Sequence, residues 1–194
     1  MPRPRTFDPD DALAAALDVF HQKGYEAASV QDLVDATGLS RSSLYATFGD
    51  KHGLYLAALD RYTAAGRERL GGLCGCDSPL GGVRAYLEGL AGGAAGGAAP
   101  PLGCLMTNAA AERASRDPDT ARRAAAARCG MTDTFEGAVR DAQAAGEVGA
   151  DRDARALAHF LTGAVYGLNG LKKAGADAEA LGAVVDQTMA AVAG

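Results

Sequence analysis

From Pro9 onward the apolar residues of this chain recur at intervals of three and four, the spacing that lines one face of an α-helix. Between residues 9 and 23, Leu13, Leu17 and Phe20 fall on one side, and Pro9 sits near the start, where its missing N–H costs little. Gly24 closes that helix at a position that wants a left-handed residue. A second helix is predicted from Ser29, a good N-cap, through Val30, Leu33 and Val34, and Gly38 stops it. Ser40 caps a short third helix ending at Phe48, and Asp50 caps a longer fourth one from Lys51 to about Arg69. After a break at LCGCDSPLGG (73 to 82), further helices are expected at roughly 80–93, 104–115, 119–145, 152–174 and 177–193. Asp117-Pro118-Asp119 and the run from Gly146 to Asp151 separate the later ones. The low-complexity stretch from 92 to 103 reads as a flexible loop. No alternating strand pattern and no internal repeat stand out, so the expected fold is all-α.

Two short helices joined by a glycine turn, packed under a preceding helix, make a helix-turn-helix. The expected organisation is a reader over residues 1–50, a connecting helix over 51–70, and a larger helical domain over 71–194. In such a motif the second helix enters the DNA major groove and flanking groups hold phosphates. Ser40, Arg41, Ser42 and Ser43 would form the first turn of that helix, with Tyr45 and Thr47 on its exposed side and Leu44 and Phe48 turned inward. Ser29 and Ser40 would aim free helix-end amides at phosphates, and Lys51 would pair with the backbone.

Net charge limits this reading. The chain carries 19 Lys and Arg against 24 Asp and Glu, net −5. Its first 69 residues hold 8 basic and 10 acidic groups. Broad, sequence-independent nucleic-acid binding is therefore disfavoured, and any DNA contact must come from the placement of Arg3, Arg5, Arg41 and Lys51.

The run from Phe7 to Leu59 resembles the DNA-binding domain of the TetR family of bacterial one-component regulators. The matching residues include Ala14, Phe20, Gly24, Tyr25, Ser29, Val30, Ala36, Gly38, Leu39, Ser40, Leu44, Tyr45, Phe48, Lys51 and Leu54. Ala46 and Thr47 stand where many members carry an aromatic residue and a histidine, and Gly53 replaces a usual acidic residue. The resemblance implies an all-helical C-terminal domain that binds a small molecule and dimerises, and a palindromic double-stranded DNA partner. It places Ser42, Ser43 and Thr47 nearest the bases or their adjoining phosphates and leaves the backbone to Arg41, Tyr45 and Lys51. Repression is the commoner role in that family.

The C-terminal half supports these expectations only in outline. Leu157, Leu161, Val165, Leu168 and Leu171 share a helix with Gly163, Gly167 and Gly170, and small residues of that kind let another helix approach. The last helix carries Leu181, Val184, Val185, Thr188 and Val192. In the resembling family the last two helices pair with their copies, giving a homodimer that a charge at Val185 would weaken if that side chain faces the partner. An apolar effector cavity is expected from Tyr86, Leu90, Met106, Phe135 and Tyr166 on several helices. Cys104 is the candidate for a reactive effector: it follows Pro-Pro-Leu-Gly at a helix start, where free amides favour thiolate. Its Gly-Cys-Leu-Met-Thr-Asn setting also resembles a subgroup of TetR-like regulators that includes cysteine-based sensors of electrophiles or oxidants.

Other classes fit poorly. No Ser-His-Asp signature, phosphate-cradling glycine motif or recognisable catalytic carboxylate pair is present, so no enzyme and no cofactor are expected. Cys74, Cys76, Cys104 and Cys129 lack zinc-ligand spacing, and His21, His52 and His159 share none, so no metal is expected either. No apolar run of about 18 residues suggests a membrane span. The N-terminus does not read as a signal peptide, which makes the cytoplasm the expected location. The remaining alternative is a helical interaction module that has lost DNA binding.

Overall fold

The computed structural model describes residues 8–73, 78–92 and 102–194. Arg3, Arg5, the Cys74 and Cys76 pair and most of the low-complexity stretch lie outside the described residues. Among those described, every regular element is a helix: α1 (Pro9–Ala27), α2 (Val30–Thr37), α3 (Arg41–Phe48), α4 (Lys51–Gly71), α5 (Pro79–Gly92), α6 (Leu105–Arg113), α7 (Pro118–Ala144), α8 (Ala154–Lys173) and α9 (Ala178–Ala193). The helices expected from periodicity differ from these by a few residues at their ends. The largest difference is at α1, which resumes for a short turn beyond a kink at Gly24.

Packing divides the chain into two compact units, Met1–Ala64 with Leu105–Ala124, and Ala65–Cys104 with Ala125–Gly194. The expected boundaries at 50 and 71 did not anticipate that α6 and the first residues of α7 pack with the first helices. Periodicity tells which face of a helix is buried but not against what, and α6 buries Leu105, Met106 and Ala109 while packing on α1.

In the first unit, Ala12, Ala16 and Phe20 of α1, Leu33 of α2, Leu44 of α3, and Leu54, Tyr55, Ala58 and Leu59 of α4 are buried, all at 5% exposure or less. Phe20, Tyr25 and Tyr55 form an aromatic cluster, with ring centroids 5.2 Å apart for Phe20–Tyr55 and 4.8 Å for Tyr25–Tyr55. Phe48, expected fully inward, is only partly buried because it sits at the last turn of α3.

The second unit is a more continuous apolar core. Val83 and Leu87 of α5, Phe135 and Val139 of α7, Leu161, Val165 and Leu168 of α8, and Leu181, Val185 and Val192 of α9 belong to one buried cluster. Each such side chain contributes about 1.5–3 kcal/mol of burial free energy. Val185 is 1% exposed inside this core, so it does not present a face to any partner. Phe160 and Leu171 of α8 instead remain 48% and 41% exposed, on the side that also exposes Gly163, Gly167 and Gly170. On α9, Ala183, Gln187, Ala190 and Ala191 are exposed.

Candidate nucleic-acid interface

The α2–turn–α3 segment is built from local capping. Ser29 accepts from the Asp32 amide at 3.1 Å, and the Asp32 carboxylate accepts from the Ser29 amide at 2.9 Å, closing a reciprocal capping box. Lys23 ion-pairs with Asp32 at 2.7 Å. That contact, followed by the two Ser29 bonds, lowers the Asp32 pKa to about 2. Gly38 then turns the chain with φ +67, donating its N–H to the Val34 carbonyl at 2.9 Å. A side chain at this left-handed position would be strained, which is why glycine ends α2.

Ser40 opens α3 by accepting from the Ser43 amide at 3.2 Å, and its hydroxyl lies 2.9 Å from that of Ser42 and 3.0 Å from that of Ser43. Arg41 and Ser42 are exposed, Ser43 and Tyr45 partly so, and Leu44 is buried at 1%. The first turn of α3 is therefore a surface of hydroxyls backed by an apolar anchor. The Arg41 guanidinium carbon lies 5.3 Å from the centroid of the Tyr45 ring, so this pair acts together. Thr47 is partly buried and its hydroxyl donates to the Ser43 carbonyl at 3.1 Å, leaving its methyl and its acceptor lone pairs for other contacts.

Lys51, in the first turn of α4, holds its ammonium 4.4 Å from the centroid of the Tyr25 ring. Asp50 still caps this helix by accepting from the Gly53 amide at 2.7 Å. The departure at Gly53 has a steric reason: a Cβ there would stand 2.2 Å from the Phe48 carbonyl oxygen, so the tight α3–α4 turn requires glycine.

Sequence reasoning missed the groups that brace this surface. The Glu112 carboxylate accepts from the Tyr25 amide at 3.0 Å and from the Glu26 amide at 2.8 Å. Arg113 places its guanidinium carbon 3.8 Å from the Tyr25 ring centroid and pairs with Glu26 at 2.5 Å and Asp117 at 3.4 Å. Asp117 is 5% exposed and lies 2.8 Å from His52 Nε2, and it accepts from the Thr120 hydroxyl at 2.7 Å. Burial works to raise the Asp117 pKa, but the bonds from His52, Thr120 and the Asp119 amide prevail and hold it well below the usual carboxylate range. His52, Asp117 and Asp119 bring ligand-type atoms within 4.8 Å of one another. Arg113, Arg122 and Arg123 already neutralise this corner, which makes it a charge-paired brace. The two contact partners of Glu112 lie 86 and 87 residues away in sequence, beyond any local signal.

Residues 12–58 match the family model described as bacterial regulatory proteins, tetR family, a span that contains every nominated DNA contact from Ser29 to Lys51 but neither Arg3 nor Arg5. Residues 79–188 match the tetracyclin repressor-like C-terminal domain. The chain belongs to the TetR family. It is a DNA-binding transcriptional regulator. The HTH-type transcriptional repressor ComR of Escherichia coli (strain K12) is 32% identical to it over 189 residues, covering 96% of this chain and 90% of that protein. The HTH-type transcriptional repressor BdcR of the same organism is 42% identical over 79 residues, covering 41% of this chain and 40% of that one. A solved structure of the TetR family transcriptional regulator CifR, a cysteine-substituted form with 26-bp double-strand operator DNA, matches with a TM-score of 0.86. That chain is 35% identical to this one, and the match covers 97% of this chain and 99% of that one.

For this TetR-family chain, the residues nominated for an effector cavity converge only in part. Tyr86 packs edge-on against Phe135 with centroids 6.0 Å apart, and Leu90 packs on the same core. Burial raises the pKa of Tyr86 against the opposing pull of Arg69, and burial likewise raises that of Tyr166. Met106 separates from this group, being 4% exposed in the first compact unit. Cys104 is partly exposed and free, and Cys129 is exposed and free. Among the described residues no helix is long and apolar enough to cross a membrane.

Proposed function

We propose that this regulator is a homodimeric repressor that reads a palindromic duplex through the N-terminal turn of α3 and leaves it when a small effector binds. Residues 1–50 act as the reader, 51–70 connect, and 71–194 bind the effector and dimerise. The observation that carries this is the exposed hydroxyl surface of Ser40, Ser42 and Ser43 on the apolar anchor Leu44, with Arg41 and Lys51 held nearby on aromatic rings. Ser42, Ser43 and Thr47 meet bases or their adjoining phosphates, while Ser29, Ser40, Arg41, Tyr45 and Lys51 hold the backbone. The 26-bp operator bound by CifR lends this reading support from a relative.

The test is a duplex selected by the protein from a random pool. Lys51→Ala should weaken binding by a similar factor for selected and random duplexes and reduce the salt slope by roughly one. Ser42→Ala should instead change which duplexes are preferred. Selection that enriches no sequence would sink the repressor reading and leave an interaction module without DNA binding. For the dimer, light scattering should report about twice 19.6 kDa. Ala183→Glu, on the exposed face of α9, should lower that mass toward the monomer.

The effector is small and apolar on this reading, seated by Tyr86, Leu90, Phe135 and Tyr166. It acts by binding the DNA-incompetent arrangement more tightly than the competent one. A second reading is favoured by Cys104, a free and partly exposed thiol next to the start of α6: a reactive effector adds to this thiol. In a Cys74→Ser, Cys76→Ser, Cys129→Ser background, which leaves Cys104 as the sole thiol of the sequence, a maleimide should modify Cys104 and lower DNA affinity. Adding Cys104→Ser should abolish that response while leaving DNA binding intact. An unchanged response would make the effector non-covalent.

A further inference from the structure

The corner between α1 and α2 is held by two residues that lie outside the helix-turn-helix. Gly24 has φ +76 and ψ 179, a conformation that is essentially glycine's alone. A Cβ at this position would stand 2.8 Å from Glu112 Oε2, so the missing side chain is also what admits the carboxylate. Each carboxylate oxygen takes one backbone donor, the Tyr25 amide at 3.0 Å on Oε2 and the Glu26 amide at 2.8 Å on Oε1. The next residue, Arg113, grips the same dipeptide through its side chains, lying 3.8 Å from the Tyr25 ring centroid and 2.5 Å from the Glu26 carboxylate. Tyr25 is thus fixed at both its backbone and its ring. That ring also carries the Lys51 ammonium at 4.4 Å, and four residues after Tyr25 the chain reaches Ser29, the cap of α2.

We propose that Glu112 and Arg113 are positioning residues for DNA binding: by clamping Tyr25 and Glu26 they set where Lys51 and Ser29 meet the phosphates. The proposal rests on the reading that these two residues hold the DNA backbone. Arg113 is 15% exposed and its guanidinium is shared among Glu26, Asp117 and Tyr25, so its effect on DNA runs through the clamp. The chemistry asks for a carboxylate. Two adjacent N–H donors need two acceptors, and a glutamine offers one acceptor beside an NH₂ that faces the second donor.

The experiment uses the full-length protein and a duplex selected from a random pool by the parent. Glu112→Gln and Glu112→Ala should each weaken binding about ten-fold after correction for the folded fraction. Arg113→Lys, which keeps the charge but loses the planar stack on Tyr25, should weaken it about three-fold. In amide NMR spectra, the Tyr25 and Glu26 resonances should move in the Glu112 variants, with smaller shifts at Ser29, while those of Phe135 and Val139 in the other unit's core stay. Combining Glu112→Gln with Lys51→Ala should cost less than the product of the two single losses, because one acts partly through the other. If Glu112→Ala does not fold, Glu112→Gln and Arg113→Lys carry the test. Parental affinity in both of those variants overturns the proposal, and so do unmoved Tyr25 and Glu26 amides. A Lys51→Ala loss without a Glu112→Gln loss overturns the clamp while leaving the DNA-binding reading intact. A parent that selects no duplex fails that reading, and the proposal falls with it.

Discussion

The two compact units are stabilised by different kinds of contact. In the first, directional polar groups fix short helices around a modest aromatic core: Glu112 on two amides, Arg113 on Glu26, Arg123 on Asp60 at 2.8 Å, and His52 on Asp117. In the second, helices meet over a continuous apolar cluster with the Thr132–Thr162 hydroxyl pair buried at 3.0 Å. Directional contacts such as Arg152 on the Val192 carbonyl and Arg155 on Asp133 and Glu136 lie around it. A unit built on directional contacts holds a few groups in a defined geometry, which is what reading DNA demands. A unit built on volume tolerates changes of side chain so long as the space is filled.

The largest effect should come from breaking volume in the second unit. Phe135 is fully buried, so Phe135→Ala should cost about 3–5 kcal/mol in chemical denaturation. Phe135→Leu should recover much of that loss. If Leu is as damaging as Ala, the core depends on aromatic geometry against Tyr86 and the contrast between units weakens. A smaller and differently shaped effect is expected at Asp117 in the first unit. Asp117→Ala leaves the buried Thr120 hydroxyl without its acceptor and should cost about 2 kcal/mol near neutral pH. The folded-state pKa of Asp117 is depressed, so its contribution is fully present above the ordinary carboxylate value near 4 and is lost as pH falls below it. His52, Arg113 and Asp119 face the same carboxylate, and the parent should lose stability in acid more steeply than the variant. Parallel pH profiles would show that the brace contributes no acid-sensitive stability.

The same contrast explains what could be read from the sequence. Helix ends in the reader announce themselves through residue types with a local job: Ser29, Gly38, Ser40 and Asp50 cap or turn the chain within a few residues of where they stand. The hydroxyl surface of α3 followed from those caps plus the burial of Leu44. The clamp on Tyr25 could not follow, because Glu112 looks like any helix-surface acid until the fold brings it back across 87 residues. Met106 illustrates the opposite limit. Nominated for the effector cavity because it sits on one of several helices that could converge, it is buried in the first unit rather than in the group around Tyr86. Val185 likewise belonged to an apolar stripe, and the stripe alone did not separate the inward side from the outward Ala183.

The smallest expected effect probes a place in the first unit where directional bonding fails. Tyr55 is 1% exposed and packs against Phe20 and Tyr25, but its hydroxyl has no well-directed hydrogen-bond partner. Burial pushes its pKa up to about 12, so it stays a neutral phenol at any working pH. A buried hydroxyl without a partner loses its hydration and gains little in return, whereas the ring keeps its apolar and edge-to-face contacts. Tyr55→Phe should therefore change stability by no more than about 0.5 kcal/mol and can raise it, unlike Asp117→Ala a short distance along the same brace. DNA affinity should stay at the parental level, since the ring that carries Lys51 belongs to Tyr25. A loss above about 1 kcal/mol in Tyr55→Phe would mean that the hydroxyl is bonded in solution, with buried Thr120 as the first partner to test by a double-mutant cycle.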